Sequence, residues 1–212
     1  MTRTSTTRTF AASSMAAVCL TFGTAFIAAP TAEATSPRVE PCISNTGISL
    51  QQYFDVSSAL VTPICDKVKA GAPWSTPLNF YVARSWELIP AGYVPTTASP
   101  LDELKAHLTK VVFIIDEGTP QEFTVERSGQ QLHWLVADWQ ELYPDDPDWL
   151  LADVGTHITI RPLPPGTHTI RGEFTMDSVA CDGVTDSWDA SCIPTGTFEY
   201  PSTRTFTVVP RD

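Results

Sequence analysis

The sequence predicts a mainly β protein, an antiparallel sandwich. Three observations predict it. Thr156–Arg161, Thr167–Met176 and Thr203–Val209 each alternate apolar and polar residues, and the first two are joined by the corner Pro162-Leu163-Pro164-Pro165-Gly166. Alternation of this kind marks strands with one buried face. Lys110–Asp116 is almost unbroken in β-branched and apolar residues, as in a central strand covered on both sides. Short runs separated by turn residues, with no repeat or low-complexity tract, complete the pattern.

The N-terminus reads as an address. Arg3 and Arg8 precede an apolar run over Met15–Ala29, Pro30 ends it, and Ala32-Glu33-Ala34 has the small-x-small form of a cleavage site. Residues 1–34 are expected to be a signal peptide, and Cys19 would leave with it. The run is too short to span a membrane as a helix. Removing 34 residues from 212 leaves 178, enough for one domain with an ordinary core. Without Arg3, Arg8 and Glu33 the chain has 11 basic and 23 acidic residues, a net charge of −12. Such a chain repels nucleic acid and anionic lipid. Four cysteines remain, Cys42, Cys65, Cys181 and Cys192. An even count in an exported chain argues for disulfides, and proximity favours Cys42–Cys65 and Cys181–Cys192. No Cys-x-x-Cys or neighbouring His supports zinc.

Residues 35–77 are expected to form a disulfide-tied N-terminal segment, with either a short helix around Leu50–Leu60 or a pair of loops held by Cys42–Cys65. The sandwich then runs from 78 to 212. Leu78–Ala83 and Arg84–Ile89 read as strands, followed by loop over 90–98. Ser99 can cap a helix, with Pro100 at its first position and the acids Asp102 and Glu103 in its first turn. Leu101, Leu104 and Leu108 share a face, so a helix is expected over 100–108. After the central strand, Glu122–Glu126 returns, and Ser128-Gly129 turns the chain. Gln131–Ala137 is a further strand, and Asp138–Tyr143 suits one helical turn. An acidic loop over 144–148 leads through Trp149–Ala152 to Gly155. Ile158, Ile160, Ile170, Phe174, Phe206 and Val208 are the expected inward residues.

The segment Leu163–Gly172, with its Pro-Gly corner and following strand, and the closing strand Thr203–Val209 resemble immunoglobulin-like or fibronectin-III-like domains of secreted bacterial proteins. The resemblance covers about the last hundred residues. It implies an immunoglobulin-like sandwich of adhesive, scaffolding or accessory type. The chain departs from that pattern in lacking a cysteine pair around a buried Trp and a corner Tyr, and in the long loop holding Cys181 and Cys192.

No catalytic signature is present: no Gly-x-Ser-x-Gly, no His-Glu-x-x-His, no phosphate loop and no dinucleotide glycine cluster. No catalytic residue is assigned. His157 and His168 flank the Pro-Pro-Gly corner. With Asp153 they could form a metal site, although solvent-facing positions are the expectation. Asp182, Asp186 and Asp189 could offer calcium an oxygen-rich loop, against a simple solvated loop. Trp139, Tyr143 and Trp149 sit beside Asp145, Asp146 and Asp148. Exposed aromatics beside acids can hold sugar rings or partner side chains; alternatively Trp134, Trp139 and Trp149 close the end of the core. The expected function is a secreted, non-enzymatic module binding a protein or polysaccharide partner outside the cell or in its envelope. The alternative is a hydrolase of glycosides or esters using carboxylates near Trp139 and Trp149.

Overall fold

The computed structural model describes residues 40–145, 148–201 and 203–211. The expected signal peptide lies outside them, as does Asp146. In chain order the elements begin with α1 (Leu50–Tyr53), β1 (Ala59–Leu60), β2 (Lys67–Lys69), β3 (Trp74–Ser75), β4 (Leu78–Val82), α2 (Pro100–His107) and β5 (Leu108–Ile115). Then follow β6 (Phe123–Ser128), β7 (Trp134–Asp138), α3 (Trp139–Leu142), β8 (Leu150–Val154) and β9 (Gly166–Met176). The chain closes with β10 (Ala180–Cys181), α4 (Trp188–Ser191), β11 (Cys192–Ile193), β12 (Gly196–Glu199) and β13 (Arg204–Val209).

The fold is mainly β and mostly antiparallel. One sheet has the order β2-β13-β9-β5-β6, with β12 added along the second half of β9. The other has the order β4-β8-β7. The β2–β13 and β1–β3 pairs are parallel. Two disulfides form, Cys42–Cys65 and Cys181–Cys192. Among the described residues no helix is long and apolar enough to cross a membrane.

The sheets share one core. Leu78, Phe80, Val82, Ala152 and Val154 face Val111, Phe113, Ile115, Ile170, Phe174, Phe206 and Val208 across it. A Cβ on Gly172 would lie 2.6 Å from Leu78 Cδ2, so this close approach of the sheets requires glycine. The stretch 59–75 contributes Ala59, Val61, Val68, Ala72 and Trp74 to the same core. Trp74 is fully buried, donates its indole N–H to the Arg161 carbonyl at 2.9 Å, and meets Phe206 at 4.8 Å between ring centroids. A second apolar cluster lies behind the three-stranded sheet, where Leu50, Phe54, Leu60, Ala137, Leu142 and Leu151 gather with Cys42.

Several expectations change. The 156–161 run forms no strand; only Ile160 bridges to Trp74, yet Ile158 and Ile160 are buried as expected. Gly155, at φ +119°, reverses the chain after β8, and Pro162 blocks further pairing. Arg84–Ile89 is bent, not a strand. The helix at Leu50 lasts one turn and stops at Asp55, whose φ is +50°. The capped helix forms as read: Ser99 Oγ accepts from the Asp102 N–H at 3.2 Å. Leu108 opens β5 instead of ending that helix.

Candidate functional site

The site is built by the face of the three-stranded sheet turned away from the main core. In β4, Leu78, Phe80 and Val82 point inward, so period two sends Asn79 and Tyr81 to the opposite face. In the antiparallel register Asn79 pairs with Asp153 and Tyr81 with Leu151. β8 is the middle strand and is buried on both faces, with Ala152 and Val154 in one apolar cluster and Leu151 in the other. Asp153 alternates with them, and so is forced into the interior.

A cleft of about 260 Å³ opens over this face. Thr62, Asn79, Asp153 and Thr156 supply its polar lining. Leu50, Phe54, Leu60, Ile64, Leu142 and Leu151 form apolar wall, and Tyr81, Trp139 and Tyr143 bring aromatic rings. The outer wall comes from the N-terminal segment. The Cys42–Cys65 bridge ties that segment to itself, Thr46 Oγ1 donates to the Leu142 carbonyl at 3.1 Å, and Tyr53 donates its hydroxyl to Glu141 at 2.7 Å. Burial, followed by the hydrogen bond to Glu141, pushes the Tyr53 phenol up to about 12.

Asp153 is 1 % exposed. Burial pushes its carboxyl up to about 7, against the opposing pull of hydrogen bonds from Thr156 and the charge of Arg204. Thr156 donates its hydroxyl to Asp153 Oδ1 at 2.9 Å, which the reversal at Gly155 makes possible. A Cβ on Gly155 would lie 2.8 Å from both Phe113 Cζ and the Thr76 carbonyl. Beside Asp153, Asn79 Oδ1 is a buried side-chain oxygen with no hydrogen-bond partner among the described residues. A buried orphan acceptor costs free energy, about 1–3 kcal/mol. A buried carboxyl with a perturbed proton affinity in a cleft is a recognised signature of a functional site.

The expected aromatic and acidic surface is divided. Trp139 and Tyr143 line the cleft, with ring centroids 4.1 Å apart, and Tyr81 stands 4.9 Å from Trp139. Trp149 stands 6.1 Å from Tyr81 between ring centroids and lines a separate groove with Arg84 and Asp148. Asp148 accepts from Arg84 at 2.8 Å, and Asp138 pairs with Arg84 at 2.6 Å. Asp145 is exposed, and Asp146 is outside the described residues. Asp145 and Asp148 do not line the cavity beneath Trp139. Trp134 packs half-buried against the main core.

The histidines part company. His168 shares parity with Ile170 and is buried, contrary to the expected solvent-facing position. Its Nδ1 lies 2.7 Å from Asp116 Oδ2 and its Nε2 lies 2.9 Å from the Pro164 carbonyl. His157 is exposed, with its ring 6.2 Å from that of His133. The two form no shared metal site with Asp153, and among the described residues no three His, Cys, Asp or Glu side chains gather to hold a metal. Of the acids in the Cys181–Cys192 loop, Asp182 turns inward and accepts from the Val184 N–H at 2.8 Å, while Asp186 and Asp189 stay exposed.

A larger cavity, about 370 Å³, lies along the free edge of β4. Its walls are mainly apolar, including Phe80, Val82, Leu104, Phe174 and Ile193, and Tyr200 holds that edge by bonding both the N–H and the carbonyl of Asn79. Its carboxylate, Asp182, already has its backbone donor. The smaller cleft therefore carries the stronger polar chemistry. Compared with known proteins, the chain matches no family model, no curated protein and no solved structure.

Proposed function

We propose that this chain is an exported, immunoglobulin-like β-sandwich module that binds a small extracellular ligand in the cleft over Asn79 and Asp153. The order of connections supports the fold part of this reading. Taking β4 as strand B puts B, E and D (β4-β8-β7) on one sheet and G, F, C and C′ (β13-β9-β5-β6) on the other. Where antibody domains bridge strands B and F with a disulfide, Phe80 and Phe174 meet edge to face at 5.3 Å. The two disulfides and the signal-like N-terminus support export.

One observation carries the binding part: a buried carboxyl and a buried partnerless oxygen stand side by side at the polar floor of an aromatic-lined cleft. Both are costs to the fold that a ligand donor would relieve. The test is an amide and indole NMR screen of the isolated protein against a small-molecule fragment set. Binding fragments should shift the Trp139 indole and the amides of residues 79–81 and 151–156. Fragments that shift only other residues, or a screen without a single shift in these segments, would remove the reading.

A further inference from the structure

The cleft has a polarity. Its floor offers oxygens and its mouth offers π-faces. Asn79 and Asp153 are directly opposite in the β4–β8 register. The N–H and carbonyl of Asn79 both turn to the Tyr200 hydroxyl, away from β8, so this is the kind of antiparallel pair whose side chains stand closest. Among the described residues the hydrogen bonds to the Asp153 carboxylate come from Thr156, and a carboxylate has about four lone-pair sites. The nearby Arg204 attracts Asp153 but spends its Nη1 on Thr76 Oγ1 and the carbonyls of Pro77 and Val61. Among the described residues the carboxylate thus has no directly bonded cation.

We infer that the ligand carries a primary ammonium group, seated between Asn79 Oδ1 and the Asp153 carboxylate, with a compact carbon body against Tyr81, Trp139 and Leu151. This rests on the cleft being the ligand site. An ammonium supplies three donors and no acceptor, which matches an acceptor floor, and its charge is favoured by aromatic faces. At about 260 Å³ the cleft falls below the usual range for drug-sized ligands, so the body is short.

Calorimetry with 2-phenylethylamine and its neutral analogue 2-phenylethanol tests the inference, with NMR mapping of both. At pH 8 the amine should bind about tenfold tighter or more, the scale of a charge-assisted hydrogen bond. Its advantage should shrink on lowering the pH to 5.5, as Asp153 gains its proton. Among the described residues, Arg204 acts on Asp153 by its charge, and Tyr81 and Tyr143 share the cleft with it; guanidinium and phenol ordinarily titrate above this interval. Asp153→Asn should abolish the amine's advantage over the alcohol. Should that variant fail to fold, the pH profile of the unaltered protein decides. An alcohol that binds as tightly as the amine, shifting residues 79–81 and 151–156, overturns the ammonium and leaves the cleft standing. Neither probe shifting those residues overturns both.

Discussion

The two faces of the β4-β8-β7 sheet make opposite use of the same strands. One face presents Leu78, Phe80, Val82, Ala152 and Val154 to the six-stranded sheet, packed so closely that Gly172 has no room for a methyl group. The other presents Asn79, Tyr81 and Asp153 to a hollow. The first face lowers the free energy of the fold by apolar burial. The second raises it, through a desolvated carboxyl and an orphan oxygen. Period two lets one strand do both, because neighbouring residues of β8 never share an environment.

Substitutions that strike one face and spare the other sharpen this contrast. The largest effect is expected from Trp74→Ala in the main core. Losing a fully buried indole and orphaning the Arg161 carbonyl should lower stability by about 5 kcal/mol in urea unfolding. Where the variant remains folded, cleft ligands should bind unchanged; a lost cleft response from folded variant would break the contrast.

Asp153 comes next, with the opposite sign. Its carboxyl titrates near 4 when unfolded and about 7 when folded. Between those values the folded chain keeps a proton that the unfolded chain has released, so stability falls as pH rises and levels off above about 7. Three units correspond to at most about 4 kcal/mol. Asp153→Asn should flatten the profile over this interval and be the more stable protein at pH 8. Melting temperatures of both proteins from pH 4 to 8 would show it, and parallel profiles would contradict it.

The smallest effect belongs to Arg84→Ala. Its pairs with Asp138 and Asp148 are well exposed. Surface ion pairs of this kind add little. The unfolding midpoint and the response of the cleft should both match the unaltered protein. A weakened cleft response would mean that the Trp149 groove and the cleft act as one site.

Local signals account for what was legible. The helix cap at Ser99, the continuous apolar run that became β5, the alternation in β9 and β13 and the pairing of near cysteines all depend on neighbours in sequence, and each formed. Trp139 and Tyr143 were also visible, as aromatics in a crowded stretch. Other features depend on distant chain. Asp153 entered only as a possible third metal ligand, because its burial needs β4 on one side, β7 on the other and the N-terminal segment above. Asn79 gave no sign, since a lone Asn in a strand is usually exposed. His168 was legible in principle: it shares a face with Ile170, and only the assumption that polar residues face water hid it. Glu103, placed in the first turn of a helix for its charge, instead anchors the preceding loop. It is 1 % exposed and accepts from Tyr93, Thr96 and Thr97.

The middle position of β8 has a further consequence. Ladder bonds to β4 and β7 hold its backbone on both sides, and the turn at Gly155 fixes Thr156 against Asp153. When Asp153 loses its proton, the strand cannot swing outward to hydrate the charge. The ordering that binding usually requires of a receptor has been met during folding. The floor is held in place before any guest arrives, so a ligand at the proposed site would be chosen by how well it fits.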